Sequence, residues 1–165
     1  MTAIKGAEDN VAIGVSAAGA LTAGGSNVCI GYGAMVAAPV GESLNVAIGK
    51  YAMSAVNEGT AGGDADHNVG IGYLALQGGD FGVGDKQLKG NVAIGSYSLH
   101  ATGNNAHTGS TAIGHQALTA VTSSLYNTAV GYQAGMALAT GNGANTFLGY
   151  QSGLDDDTGS FNTYI

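Results

Sequence analysis

The sequence contains no tryptophan, no arginine, one proline and one cysteine in 165 residues, and only 9% of its residues are charged. Its four basic side chains are lysines, set against eleven acidic residues and a net charge of -7. A chain so poor in basic residues cannot neutralise a row of phosphates, so we expect no binding to nucleic acid. The lone Cys29 has no partner for an intrachain disulfide or for a thiolate metal site.

Long apolar runs are missing as well. No segment stays apolar over the ~20 residues that a membrane-spanning helix needs, so we expect no membrane insertion. Residues 1–10 carry neither the basic start nor the apolar run of a secretory signal peptide. With no signal peptide visible, we do not expect export by the general secretory route.

Glycine is abundant, at 30 positions, and a motif Asn-Val/Thr-Ala-Ile-Gly recurs along the whole chain. Each copy places an aliphatic residue three positions after a polar one, which is serine at Ser110 and asparagine in the other copies. The aliphatic residues recur every 17 to 23 residues, from Ile13 to Ile165. A period of this length indicates stacked supersecondary units, each of which buries its apolar face only against its neighbours.

Large and small residues alternate within the motif, which predicts a short β-strand with the aliphatic side chains on one face. We expect these side chains to stack as an internal core ladder, formed by Ile13, Ile30, Ile48, Ile71, Ile94, Ile113, Val130 and Leu148. On this arrangement, Ile94→Asp would bury a carboxylate without a partner, and we expect loss of assembly or a large fall in the thermal midpoint. The opposite face carries small residues such as Ala12, Cys29 and Ala47, which permit close approach of another backbone.

These features predict an all-β fold, a parallel β-solenoid of about nine coils of 17–23 residues, with residues 1–165 as a single repeat domain. A small residue recurs seven positions after most of the aliphatics, and it predicts a second, weaker strand at Ala20, Ala37, Ala55, Ala101, Ala120 and Ala137. Two copies are longer, with loop insertions near 57–66 and 77–90. All eleven acidic residues lie outside the predicted strands, so we place them in turns.

Two resemblances rest on individual copies. Two copies resemble the repeat found in many bacteriophage tail fibres: residues 127–135 (NTAVGYQAG) and 145–153 (NTFLGYQSG). The head repeats of trimeric autotransporter adhesins, whose coils are shorter, are similar to residues 10–14 (NVAIG) and 91–95 (NVAIG). Together the two resemblances cover nearly the whole chain.

The resemblances imply a left-handed parallel β-roll that assembles as a homotrimer. They also imply a structural or adhesive fibre segment in a virion tail fibre or on an extracellular surface. Its partners would be other virion or fibre components and a bacterial surface glycan. The alternative function is a bacterial cell-surface adhesin head. Because the chain stops at Ile165, one residue before the glycine of a ninth copy, we expect it to be truncated within that repeat.

No catalytic constellation recurs at a fixed repeat phase. The run 155–157 of three aspartates could supply the carboxylate pair of a glycosidase or ligands for calcium, but a solvated turn is the simpler interpretation. The four histidines occupy different repeat phases, so we expect surface histidines and no metal cluster: His67, His100, His107 and His115. We therefore expect a protein that is not an enzyme and needs no cofactor or metal. The remote alternative is a polysaccharide depolymerase that acts between subunits.

One column is rich in aromatic residues, two positions after the aliphatic residue of each copy. It contains Tyr32, Tyr73, His115, Tyr132 and Tyr150. Aromatic rows can bind sugars, and they also pack well at subunit interfaces with the hydroxyl group left in water. The column is therefore a candidate for receptor binding or for subunit packing, and both remain open.

Overall fold

A computed structural model describes residues 8–38, 41–57, 64–79, 86–103, 105–141 and 143–165. The central parts of both predicted loop insertions lie outside these residues. Glu58, Asp80 and Asp85 lie outside them too.

Short strands account for almost all regular structure. They are β1 Val11–Ile13, β2 Val28–Ile30, β3 Val46–Ile48, β4 Val69–Ile71, β5 Leu88–Lys89, β6 Val92–Ile94, β7 His107–Thr108, β8 Thr111–Ile113, β9 Thr128–Val130, β10 Thr146–Leu148 and β11 Thr163–Tyr164. A single 3-10 turn at His100–Thr102 is the one helical element of the described residues.

The strands of the repeat form one parallel sheet of nine strands, in the order β1-β2-β3-β4-β6-β8-β9-β10-β11. Each motif pairs with the next in register, so that Val11 faces Val28 and Ile13 faces Ile30. β5 and β7 pair separately, also in parallel. The prediction of an all-β parallel solenoid is confirmed, and the chain makes about eight turns.

The predicted second strand is wrong. The chain after each sheet strand forms turns instead, because non-glycine residues there adopt a left-handed backbone, such as Met35 at φ 49°. Alternate amides still reach the next coil: Met35 N donates to Ala52 O (3.0 Å) and Ala37 N donates to Ser54 O (3.2 Å). This wall of the coil is therefore held by hydrogen bonds between coils without being extended.

The interior of the coil is narrow and is filled mainly from the turn wall. Five residues after the aliphatic, a large side chain points inward and is fully buried in most coils, at Met35, Met53, Leu76, Leu99 and Leu118. Opposite it, the central residue of each strand is buried and small, at Cys29, Ala47, Gly70, Ala93, Ala112 and Ala129. The large and small residues are matched in volume, as close packing requires.

Two local exchanges show this matching. A Cβ atom at Gly70 would lie 2.8 Å from Met53 Cγ, so this glycine makes room for the methionine. In β10 the central residue is instead Phe147, fully buried. There the turn wall carries glycines on both sides of the ring, Gly135 and Gly153, where any Cβ would overlap Phe147.

The aliphatic ladder is aligned as predicted but lies on the outside of the coil, so the prediction of an internal core ladder is wrong. None of its members is fully buried: Ile13, Ile30, Ile48, Ile71, Ile94, Ile113, Val130 and Leu148. The physical reason is the narrow interior, which has room for alanine on the sheet wall but not for isoleucine. The face of small residues was expected to meet another backbone. It lies inside the coil instead, where Cys29, Ala47 and Ala93 are fully buried.

Buried asparagines form a hydrogen-bonded ladder at the corner before the sheet. Asn68 Nδ2 donates to Asn45 Oδ1 (3.1 Å) and to the Leu88 carbonyl (2.6 Å). Asn68 Oδ1 accepts from the backbone N of Asn91 and from its Nδ2, both at 3.0 Å. An amide side chain is needed because one residue must donate and accept at once.

The glycine that follows each aliphatic allows coils to approach closely. Gly95 has φ +128°, and a Cβ there would lie 2.5 Å from the carbonyl oxygen of Gly114 in the next coil. Gly149 has nearly the same backbone, φ +126°, but a Cβ there would meet nothing within 4 Å. A side chain at Gly149 would add backbone strain only, whereas a side chain at Gly95 would add both backbone strain and a steric clash with the next coil.

We predict that Gly149→Ala costs about 1–3 kcal/mol of unfolding free energy from backbone strain alone. Gly95→Ala should cost at least about 2 kcal/mol more, because it adds overlap with the neighbouring coil. Urea unfolding monitored by circular dichroism measures both. Equal losses would show that the close approach of the coils at Gly95 is not a steric requirement.

For the asparagine ladder, we predict that Asn68→Ala costs about 3 kcal/mol, since it leaves buried groups of Asn91 and Leu88 without hydrogen-bond partners. The matched control is Asn10→Ala at the ladder's half-buried first member, where water can replace the lost bonds and about 1 kcal/mol is expected. Thermal and urea unfolding compare the two variants. A cost at Asn68 no larger than that at Asn10 would contradict the ladder.

Candidate interaction surfaces

The outer face of the nine-stranded sheet is uncharged along its whole length and is formed by aliphatic and threonine side chains. It carries two side-chain columns from each strand, valine or threonine first and the aliphatic residue second. Ile13 is 59% exposed and Leu148 is 49% exposed, whereas the central members are half-buried because they stack on one another. We call this surface the aliphatic face.

No charged side chain occurs in either column of the aliphatic face. Nine strands at a spacing of ~4.8 Å make it roughly 40 Å long. Contiguous apolar patches larger than a few hundred square ångströms are rare on monomeric proteins and mark interaction sites. The face therefore has the properties of a surface that is covered in the functional protein.

The aromatic residues lie together beside this face, as one column along the solenoid. Stacked ring pairs join His115 to Tyr132 (centroids 5.4 Å apart) and Tyr132 to Tyr150 (5.5 Å). Edge-to-face pairs join Tyr32 to Tyr51 (5.3 Å) at the other end. The sequence-based column is thus brought together in space, as periodic stacking requires.

Two members of the aromatic column were missed by the sequence analysis. Tyr51 and Tyr97 come one residue later in their copies, yet they fill gaps in the column, where Tyr97 contacts Tyr73 (5.2 Å) and His115 (6.2 Å). A side-chain hydrogen bond with Tyr32 raises the pKa of Tyr51, and one with Tyr73 raises the pKa of Tyr97.

At the C-terminal end of the column, the ring faces contact neighbouring rings of the same column. In the stacked part the rings cover one another's faces, and Tyr150 at the end of the stack is 73% exposed, against 45% for Tyr132. Next to this part, glutamine side chains form their own ladder: Gln133 Nε2 donates to Gln116 Oε1 (2.8 Å), and Gln151 Nε2 donates to Gln133 Oε1 (2.8 Å). Ring stacking and the glutamine ladder therefore join this part of the surface from coil to coil.

The candidate catalytic and metal groups do not converge. Among the described residues, no group of three or more histidine, cysteine, aspartate or glutamate side chains is placed to hold a metal ion. Asp156 is half-buried, and its carboxylate accepts from Gly159 N (2.9 Å) and from Asn162 Nδ2 (3.3 Å). It therefore fixes a turn, while its neighbours Asp155 and Asp157 are exposed. Burial raises the pKa of the Cys29 thiol to about 11, which keeps it protonated.

Two ionisable residues lie where the sequence analysis did not place them. Glu42 was assigned to a turn and His107 to the surface, but both side chains are fully buried. They occupy the same repeat phase: Glu42 lies three residues before Asn45, and His107 lies three residues before Ser110. Side chains at this phase face the interior of the coil. The signal that could have revealed this was the small or apolar character of Ala65 and Leu88 at that phase.

In the part of the chain that the structure describes, no helix is long and apolar enough to cross a membrane. Comparisons with protein-family models, with curated proteins and with solved structures find no match to this chain. Functional inference therefore depends on the geometry of its surfaces and on the resemblance of the repeat.

Proposed function

We propose that this chain is a structural and adhesive fibre segment, of the tail-fibre kind, that spaces or presents an attachment site for a bacterial surface. The observation that carries the proposal is the aliphatic face, which runs the length of an elongated repeat and needs a partner. The fibre role, the virion location and the other virion or fibre components as partners come from the resemblance of the repeat.

The partner that fits the aliphatic face best is another copy of the same chain. Its outward columns repeat once per coil and carry no charge, so a partner with the same repeat can match it coil by coil. Homotrimeric assembly is part of the proposal, and the number three comes from the resemblance to adhesin heads. The small strand face cannot serve as the interface, because Cys29, Ala47 and Ala93 are buried inside the coil.

A cell-surface adhesin head would use the same surfaces, so the proposed alternative differs in biological source and not in geometry. We propose that the chain is not an enzyme, since the ionisable side chains of the described residues are dispersed, singly buried or engaged in turns. Glycan contact, if made by this segment, is proposed at the exposed end of the aromatic column near Tyr150.

We predict that Ile94→Asp abolishes homotrimer assembly while each chain stays folded, because Ile94 points outward from the coil and its carboxylate would face solvent in a free chain. Ala93→Asp should instead unfold the chain, since that side chain is fully buried in the narrow interior. Sedimentation velocity reports assembly and circular dichroism reports folding.

Because Ile94 points outward and Ala93 points inward, the two substitutions together test which face of the strand forms the interface. A wild-type protein that sediments as a stable folded monomer would contradict the proposed assembly. An Ile94→Asp variant that stays trimeric would show that the interface lies elsewhere, whatever its stability.

We predict that the assembled protein binds capsular or lipopolysaccharide glycans of its host without releasing oligosaccharides. Tyr150→Ala should weaken this binding about 10-fold, the effect of losing about 1.4 kcal/mol of ring contact. The control is Tyr126→Ala, at an exposed tyrosine (59%, against 73% for Tyr150) that lies outside the column, over Gly109. Equal affinities of the two variants would remove the column from the binding site, and released oligosaccharides would favour the depolymerase alternative.

A further inference from the structure

The side chain of His107 is buried in the interior of the solenoid. The residue begins β7, opposite Leu88 of β5, and its side chain is 0% exposed. Neither Nδ1 nor Nε2 has a hydrogen-bond partner among the described residues, although its backbone is well held. Its amide donates to Gln87 O (2.6 Å), and its carbonyl accepts from Asn91 Nδ2 (2.9 Å). Buried polar atoms without partners are rare in folded proteins and indicate a special role or strain.

Among the described residues, no charged side chain forms a hydrogen bond with this ring. The preceding coil contributes Lys86 and Lys89, and the Lys89 ammonium group pairs with Asp64. Asp66 accepts from the Ser43 amide (2.6 Å).

The following coil carries no charged side chain between residues 119 and 127, where Tyr126 is the one titratable group. Of the other histidines nearby, His115 belongs to the aromatic column and His100 contacts Tyr97 of that column. With no counter-ion bonded to it in the described part of the chain, a protonated His107 would be a buried cation, which is a costly state.

We infer that His107 is an acid-sensitive opening point, at which protonation breaks the stacking between the coil that contains β7 and its neighbours. A solenoid is stabilised by nearest-neighbour contacts, so loss of one interface separates the array into two shorter pieces.

The direction of the pH dependence follows from the burial of the ring. Burial lowers the pKa of His107 from 6.5 to about 4. Between these values the unfolded chain binds a proton that the folded chain excludes, so stability is complete above pH 6.5 and falls as the pH drops toward 4. The unfolding equilibrium should rise about 30-fold per chain at pH 5, and about 300-fold once the pH is below both values.

The test compares the full chain with His107→Leu, the residue that the preceding coil carries at the same phase, and with His67→Gln at an exposed position. Urea unfolding is measured at pH 7.5 and pH 5. The wild type and His67→Gln should each show a rise in the unfolding constant about 30-fold larger than that of His107→Leu. The same rise in all three proteins would overturn the inference.

A second measurement does not depend on the variant folding. Histidine ring signals in the wild-type protein are followed by NMR from pH 7.5 to 4, together with amide exchange. We expect the His107 ring to stay neutral in the folded protein at pH 5, while the amides of His107 and Gly109 lose protection earlier than that of Val28. A His107 ring that titrates near pH 6.5 with no local loss of protection would overturn the inference.

Discussion

The width of the coil interior is the constraint on which the other features of this structure depend. The sheet wall and the turn wall lie so close that, through most of the chain, only a small side chain fits at the centre of each strand. The large apolar side chain then comes from the turn wall, at Met35, Met53 and their equivalents. Where the turn wall carries glycine, at Gly135 and Gly153, a phenylalanine at position 147 takes its place from the sheet wall.

Close approach along the fibre axis imposes a second condition. The glycine after each strand brings the backbones of successive coils into contact, which leaves no room for a side chain. Buried asparagines join the corners of successive coils by hydrogen bonds. Both devices use the repeat itself, since each residue bonds or contacts its own equivalent in the next coil. Stability is therefore cooperative between neighbours, and a single interior substitution such as Ala93→Asp has consequences beyond its own coil.

The narrow interior also determines the outer surface. Because β-branched residues do not fit inside at the strand, they are displayed outward as an uncharged face the length of the protein. The aromatic column beside it is formed in the same way, by stacking one position of the repeat. A fibre segment that associates through one face and presents another is consistent with this division of surfaces. The buried Glu42 and His107 are exceptions in an interior that is otherwise mostly apolar or amide-bonded.

The repeat, its phase and the parallel pairing of its strands could be predicted from the sequence, because the same spacing of asparagine, aliphatic and glycine residues recurs at every copy. For the same reason the aromatic column could be predicted, except for Tyr51 and Tyr97, which are displaced by one residue in the sequence but not in space. Alternation within a strand shows that two faces differ, but it does not show which face points inward. Only the tertiary structure decided that alanine lies inside and isoleucine outside, because the distance between the two walls of the coil depends on the left-handed turn residues such as Met35 and not on the strand itself. The burial of Glu42 and His107 was decided in the same way, since their phase faces an interior that local sequence does not reveal.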